Sequence, residues 1–350
     1  MKSIIHKLRV AVLFGGKSAE HEISVLSARN VISAIDQSKF ELLLIGIDDH
    51  GGWHRVDTVD DLAHVATPES MHARPDIELL DQVDAVFPVL HGPMGEDGTI
   101  QGLLELIGMP YVGPDVLGSA VGMDKDIMKR LLRDADISVA PFLVITTQSR
   151  NEYSEESIVA KLGLPLFVKP ANMGSSIGVS KVYTVNELTG AMDSAFEFDH
   201  KILIETAIIG DEIECAVLGN EDPEASVIGK IIASDDVLYS FDAKYSDGNN
   251  TVLEIPAVLP DQRAEEAKVT ALRTFQVLGC EGMARVDMFA TATGIVVNEI
   301  NTIPGFTEFS MYPQLWAASG LSYTDLITRL IGLAIERSMR THNLRTTRLV

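Results

Sequence analysis

The stretch Val296–Gly305, "VVNEINTIPG", decides how the rest of the chain is read. Ile295, Val296 and Val297 read as an interior strand, yet Asn298, Glu299 and Asn301 follow at once. An acid and two amides at the end of an apolar strand need a reason, because burying them unpartnered is costly. Just upstream, "EGMARVDMFATATGIVVNEIN" holds two apolar runs joined by "TATG", which reads as a β-hairpin. Strand side chains alternate with period two, so Arg285 and Asp287 share one face, as do Glu299 and Asn301. An odd number of loop residues brings those faces together and an even number separates them; the sequence leaves the register open. If the faces coincide, two carboxylates and an amide oxygen converge beside an arginine. Hard oxygen donors in that number suit Mg2+, which takes a couple of carboxylates together with nucleotide phosphates. The competing reading is an arginine–carboxylate pair on a solvated sheet face. The two sets together, ending in "NTIPG", favour the metal.

The chain around this hairpin has 350 residues, 46% of them hydrophobic, which is enough for two or three domains. Lysine and arginine number 28 against 50 acids, a formal net charge of −22, which argues against a nucleic-acid partner. Cys215 and Cys280 both lie in apolar runs and read as buried thiols. No apolar run approaches the roughly 18 residues that span a bilayer, so no membrane partner is expected. The opening "MKSIIHKLRVAVLFGG" is basic and then apolar but lacks a small-residue cleavage site. Its apolar part is short enough to be a first strand, and a cytoplasmic enzyme is the expectation.

"RVAVLFGG" reads as a buried strand ending in a glycine turn, and a helix follows from about Ala19 with Val25, Ala28, Ile32 and Ile35 on one stripe. "FELLLIGID" and "VDAVFPVLHG" are further strands, and "TIQGLLELIG" a helix. Strands alternating with helices predict a mostly parallel, Rossmann-like sheet over residues 1–122, with ligands at the strands' carboxyl ends. Those ends carry "GGKSAEHE" and "HGPMGEDG". The polar stretch between them bears His50, His54, His64 and His72, which lack the paired spacing of a zinc site and read as surface residues. A smaller α+β unit is expected over 123–211, with a break near Ile209-Gly210. A third unit over 212–339 carries the hairpin, the polar "SFDAKYSDGNNTVLEIPA", and a helix through Leu326, Leu330 and Ala334. The basic tail, 340–350, is expected to fray.

Several residues have two readings. "KPANMGSSIGVSKV" lacks the spacing of a P-loop, but its small residues can close over phosphates with backbone N–H groups. Lys169 is either a snorkelling side chain beside a hairpin turn or a ligand-binding cation, and Lys125 either a solvated helix residue or the same. Glu20 suits a helix N-terminus as well as a ligand site. Tyr245 is a loop anchor or a lid residue. "HGPMGEDG" reads as turn chemistry, with His91 at a strand's carboxyl end.

Taken in order, "LFGGKSAEHEIS", "HGPMGEDGTIQGLLE", "VKPANMGSSIGVSKV", "AKY" and "RVDMF…VVNEINTIPGFTEFSMYP" resemble the D-alanine–D-alanine ligase family of ATP-grasp enzymes, from about Val10 to about Arg337. The resemblance implies an α/β and α+β architecture: an ATP-grasp fold preceded by a parallel-sheet domain. It implies ATP-dependent joining of two D-alanine molecules through a D-alanyl phosphate, for peptidoglycan precursors. On the same resemblance, Asp287, Glu299 and Asn301 match the ligands of Mg2+ or Mn2+, and Arg285 the residue that stabilises transition-state charge. Lys125 and Lys169 match the phosphate-binding lysines, with Ser175, Ser176 and Lys244 also toward the nucleotide. Glu205 and Ala207 fall at the adenine hinge and Glu212 at the ribose. Glu20 matches the residue that holds the first substrate's amine, and His91 is counted with it as substrate-binding. Ser175 and Tyr245 match the link between serine loop and lid, and Ser310 with Met311 the segment that receives the second substrate's carboxylate. A homodimer is the family expectation. The hinge "ETAIIGDE" is more apolar than the family pattern, and "TEFSMYP" differs slightly before its serine. The rival readings are a D-alanine–D-lactate or D-serine ligase, another ATP-grasp carboxylate–amine ligase, and a non-enzymatic small-molecule binding protein.

Overall fold

The computed structural model describes residues 7–65, 75–232 and 252–345. His72, Lys244 and Tyr245 lie outside the described residues. The first sheet contains β1 (Leu8–Gly15), β2 (Phe40–Ile47), β3 (Trp53–Val56) and β4 (Ala85–Val89), in the order β3-β2-β1-β4. β1 runs parallel to β2 and β4, while β3 adds an antiparallel edge. Val10 to Phe14 are wholly buried, as expected for a central parallel strand covered on both faces. The covering helices are α1 (His21–Ala34), with the short α2 (Leu62–Val65), and α3 (Thr99–Leu106).

The polar stretch after β2 is more ordered than its composition suggests. His54 is carried on β3 and bonds the buried Asp48 at 2.8 Å, so it is not the surface residue expected. Asp48 also accepts from the backbone of His50 and Gly52, closing a tight turn around one carboxylate.

The chain then forms α4 (Val116–Met123) and α5 (Lys125–Asp134). Asp124 ends one and caps the other, its carboxylate accepting from the N–H groups of Asp126 and Ile127. The middle sheet is antiparallel, ordered β5-β8-β6-β7, from β5 (Phe142–Thr146), β6 (Leu166–Pro170), β7 (Ser180–Val182) and β8 (Lys201–Thr206). It is backed by α6 (Glu155–Leu162) and α7 (Leu188–Phe196), whose apolar faces bury Ile158, Leu188 and Met192.

At residues 207–210 the chain crosses to the third sheet: β9 (Asp211–Gly219), β10 (Glu224–Ile232), β11 (Val252–Glu254), β12 (Gly282–Ala290) and β13 (Ile295–Asn301), ordered β11-β10-β9-β12-β13. One face is covered by α8 (Asp261–Val277), a helix whose buried stripe is Ala267, Ala271, Thr274 and Phe275. The other face packs on α9 (Met311–Ala318) and α10 (Tyr323–His342). These two helices and the first sheet share one core, in which Phe306 meets Phe87 edge-on at 5.7 Å and also packs against Tyr312 and Tyr323. The tail does not fray at Arg340. Helix α10 continues to His342 because Arg340 pairs with Glu281 and the buried Arg337 donates to the carbonyls of Tyr111 and Gly113. Among the described residues, no helix is long and apolar enough to cross a membrane.

Candidate active site

A cavity of about 600 Å3 lies between the middle and third sheets. Lys125, Phe167, Lys169 and Glu205 line one wall; Glu212, Phe289 and Glu299 line the other. The hydrogen bond from Val297 N–H to Ser138 O, 2.8 Å, ties β13 to the segment that leads into β5.

The register of the opening hairpin is set by an irregularity that the sequence does not announce. Pairing runs Ala290↔Ile295, Phe289↔Val296 and Met288↔Val297, then shifts to Asp287↔Glu299 and Arg285↔Asn301. The turn, residues 291–294, is even in number, and a regular ladder would set Asp287 opposite Asn298. Glu299 would then point to the opposite face. A β-bulge at Asn298 supplies one extra residue and restores the alignment, so all four polar side chains share a face.

Each carboxylate on that face meets a cation. Arg285 grips Asp287 bidentately, Nε to Oδ1 at 2.7 Å and a terminal nitrogen to Oδ2 at 2.6 Å. Its Nε also lies 2.8 Å from Glu214 on β9. Asn301 donates to Asp287 Oδ2 at 3.0 Å. Lys125, at the start of α5, sits 3.2 Å from Glu299 and donates to Met173 O at 2.9 Å. Lys169 pairs with Glu205 at 2.7 Å and reaches Asn298 Oδ1 at 3.4 Å. Among the described residues no cluster of three or more His, Cys, Asp and Glu side chains is arranged to hold a metal. The donors here are two carboxylates and an amide, a set that suits a hard cation completed by phosphate oxygens.

Glu20 comes from the first sheet's carboxyl edge. It occupies the residue before α1, yet its side chain makes no capping bond. Its carboxylate instead accepts from the Ser175 hydroxyl of the small-residue loop. Ser175 and Ser176 hold left-handed backbone, φ 50° and 59°, a conformation costly for serine and found where the surroundings impose it. Gly92 faces Glu20 from the other side: a Cβ there would lie 2.6 Å from Glu20 Oε2, and the φ of +75° is itself a glycine conformation.

His91 is buried beside Glu20 with both ring nitrogens engaged, Nδ1 with Ile303 O at 3.2 Å and Nε2 with the Ser27 hydroxyl at 3.3 Å. Phe306 N–H donates in turn to Ser27 Oγ. Burial lowers the imidazole's pKa against the pull of Glu20, so the ring is neutral and ties the first unit to the segment after β13. Sequence reasoning missed Glu96, in the "GED" of the His91 loop. Its carboxyl accepts from Gly92 N–H at 2.7 Å and Ile303 N–H at 3.2 Å. Burial, then the charge on Glu20, pushes it up to about 8. The only available signal was an acid in a turn that already had Asp97 to cap it.

The remaining candidates are placed as follows. Ala207 N–H is taken by Pro165 O at 3.0 Å, so its backbone offers the cavity a carbonyl. The side chain of Met311 belongs to the core, and what this segment can offer a ligand is the backbone at the start of α9. Ser310 stands at that start with its hydroxyl turned to Thr307, accepting from Thr307 N–H at 2.9 Å.

Two antiparallel sheets grip a cavity with Lys125, Lys169 and Glu205 on one side and Glu212 and Glu299 on the other, the arrangement of an ATP-grasp enzyme. Residues 9–114 match the family described as D-ala D-ala ligase N-terminus, and residues 131–332 match D-ala D-ala ligase C-terminus. The chain belongs to the D-alanine–D-alanine ligase family. It is 50% identical to D-alanine–D-alanine ligase A of Escherichia coli O6:H1, over 98% of this chain and 100% of that one. Among solved structures it resembles the D-alanine–D-alanine ligase of Coxiella burnetii, with TM-score 0.81, 38% identity, and 96% and 97% of the two chains covered. It also resembles the VanG D-Ala:D-Ser ligase of Enterococcus faecalis, with TM-score 0.82, 37% identity, and coverage of 94% and 100%. A third is D-alanine–D-alanine ligase of Bacillus anthracis complexed with ATP, with TM-score 0.77, 30% identity, and coverage of 95% and 99%.

Proposed function

We propose that this protein joins two D-alanines, with ATP as the energy source, to give the D-alanyl-D-alanine of peptidoglycan precursors. One observation carries the reading: the Asn298 bulge sets Arg285, Asp287, Glu299 and Asn301 on one face, against Lys125 and near the Glu20–Ser175 pair. Kinship with D-alanine–D-alanine ligases along almost the whole chain supports the substrates, and likeness to an ATP complex supports the nucleotide.

In this reading the nucleotide lies in the cavity between the sheets. Glu205, Ala207 and Glu212 bind its adenosine end, while Lys125, Lys169 and the Ser175–Ser176 loop bind its phosphates. Asp287, Glu299 and Asn301 would hold Mg2+ or Mn2+, which supplies neutralising charge at the phosphates. Glu20 holds the amine of the first D-alanine. That substrate's carboxylate oxygen attacks the γ-phosphorus, and ADP leaves. Arg285 presents fixed positive charge to the transferring group without reorganisation. The amine of the second D-alanine, steered by Ser310 and the backbone at Met311, attacks the acyl carbon. Phosphate then leaves, carrying the oxygen that the first carboxylate contributed. His91 and Glu96 keep the first unit and the post-β13 segment in register. Lys244 is assigned to the nucleotide and Tyr245 to catalysis with Ser175 on the family resemblance alone. Residues 1–122, 123–211 and 212–339 act as three units, in a cytoplasmic homodimer.

The test is product analysis with ATP, Mg2+ and D-alanine, alone and in competition with D-lactate or D-serine. Dipeptide, ADP and phosphate in equal amounts are expected from D-alanine alone. Preferential mixed products would favour the D-Ala:D-Ser type of ligase, and phosphate release indifferent to D-alanine would refute the assignment.

A further inference from the structure

Lys129 lies one helical turn beyond Lys125 on α5 and is entirely buried, with 0% exposure. It does not line the cavity, and nothing in the reaction above uses it. A buried ammonium is expensive, and an aliphatic side chain at this position would pack as well, so the charge needs a reason. Its Nζ stands 3.2 Å from Glu205 Oε1, while Lys169 stands 2.7 Å from Glu205 Oε2. One carboxylate, itself only 3% exposed, is thus shared by two lysines, one oxygen each. Only Lys169, of the two lysines, faces the cavity.

We propose that Lys129 is a positioning residue that sets how readily Lys169 leaves Glu205 for the phosphates of a bound nucleotide. The inference rests on the nucleotide reading given above. The triad carries two positive charges and one negative. When Lys169 turns to a phosphate, Lys129 and Glu205 remain as a neutral pair. Without Lys129, the same movement strands a buried carboxylate, an arrangement that costs far more than an intact pair. Lys129 also competes for Glu205 and repels Lys169, which loosens the contact that nucleotide binding must break.

Charge states agree with this. Burial pulls the Lys129 ammonium down to about 8, against the charges of Glu205 and Glu299 and with that of Lys169, so it is protonated at pH 7. Burial pushes the Glu205 carboxyl up, but Lys129 and Lys169 outweigh it and hold the group below its ordinary value. The charged groups facing the pair are therefore Lys169 from β6 and Glu299 from β13.

The experiment is calorimetric titration with Mg-ADP at pH 7, in two buffers of different protonation enthalpy, on wild type, Lys129→Met and Lys129→Met/Glu205→Gln. Lys129→Met is expected to raise the ADP Kd about tenfold or more, equivalent to at least about 1.4 kcal/mol. It should also take up more protons per ADP than wild type, because Glu205 protonates as Lys169 departs. The double variant should bind ADP more tightly than Lys129→Met and lose the extra proton uptake. KM for D-alanine should stay close to wild type. Unchanged ADP affinity in Lys129→Met overturns the inference. So does weaker binding with neither extra proton uptake nor recovery in the double variant, which would make Lys129 a packing residue. Wild type that binds no Mg-ADP would instead remove the nucleotide reading beneath it.

Discussion

Replacing Glu299 by Gln separates the stability of this site from its chemistry. The side chain is 20% exposed and lies 3.2 Å from Lys125, which keeps a second acceptor in Met173 O at 2.9 Å. The pair is mostly enclosed, since Lys125 is buried, so losing it costs more than the ~1 kcal/mol of an exposed pair and less than the ~3–5 kcal/mol of a fully buried one. In a chain of 350 residues each kcal/mol is roughly 1–2 °C in Tm, so the loss stays at a few degrees. Turnover should behave differently. If Glu299 is one of the donors that hold the metal at the phosphates, removing its charge forfeits ~4 kcal/mol of transition-state stabilisation, or roughly a thousandfold in kcat. Raising Mg2+ should recover part of the loss. The assays are thermal melting and coupled ADP release across a Mg2+ series. Near-normal turnover at ordinary Mg2+ would refute the metal assignment. A collapse in Tm that accounts for the lost activity would make Glu299 a structural residue.

Three further outcomes are expected. Glu20→Gln removes the ionic partner of the first D-alanine's amine and should raise its KM far more than that of ATP; equal effects on both would return Glu20 to a structural role. Glu96 sits at about 8, above its ordinary 4.5, so the folded state holds that proton more tightly than the unfolded chain does. Its stabilisation is complete below 4.5 and lost as pH rises through 8, and Tm curves for Glu96→Gln should therefore decline less steeply over that window than wild type. An identical decline in both proteins would contradict the buried, protonated acid. Arg337→Met leaves the carbonyls of Tyr111 and Gly113 without their donor and should cost about 3 kcal/mol of stability, read in denaturant unfolding; a loss within error would show that the clamp carries no load.

Much of the architecture is legible because it depends on local pattern. The wholly buried run Val10–Phe14 and the stripe through Leu326, Leu330 and Ala334 declare a central strand and an amphipathic helix without help from the rest of the chain. Helix α8 is not so marked: it packs through Phe275 and the small residues Ala267, Ala271 and Thr274, whose spacing gives a weak apolar signal. β3 is hidden because its His54 bonds a buried acid, Asp48, that composition alone assigns to the surface.

The candidate site divides the same way. The residue types at Arg285, Asp287, Glu299 and Asn301 suggest hard-ligand chemistry, but whether they converge depends on one bulged residue, and a bulge has no fixed sequence signature. Glu96 and Lys129 went unread for a related reason. An acid in a turn and a lysine in a helix look ordinary until burial and their partners, Gly92, Ile303 and Glu205, are known.

The central claim is that a carboxylate oxygen of the first D-alanine passes to phosphate through an acyl phosphate. D-alanine labelled with 18O in its carboxylate, turned over with unlabelled ATP, tests this directly by mass analysis of the released phosphate. The account predicts one labelled oxygen in each phosphate formed with each dipeptide, the other label staying in the new peptide carbonyl. Dipeptide formed with wholly unlabelled phosphate would contradict it.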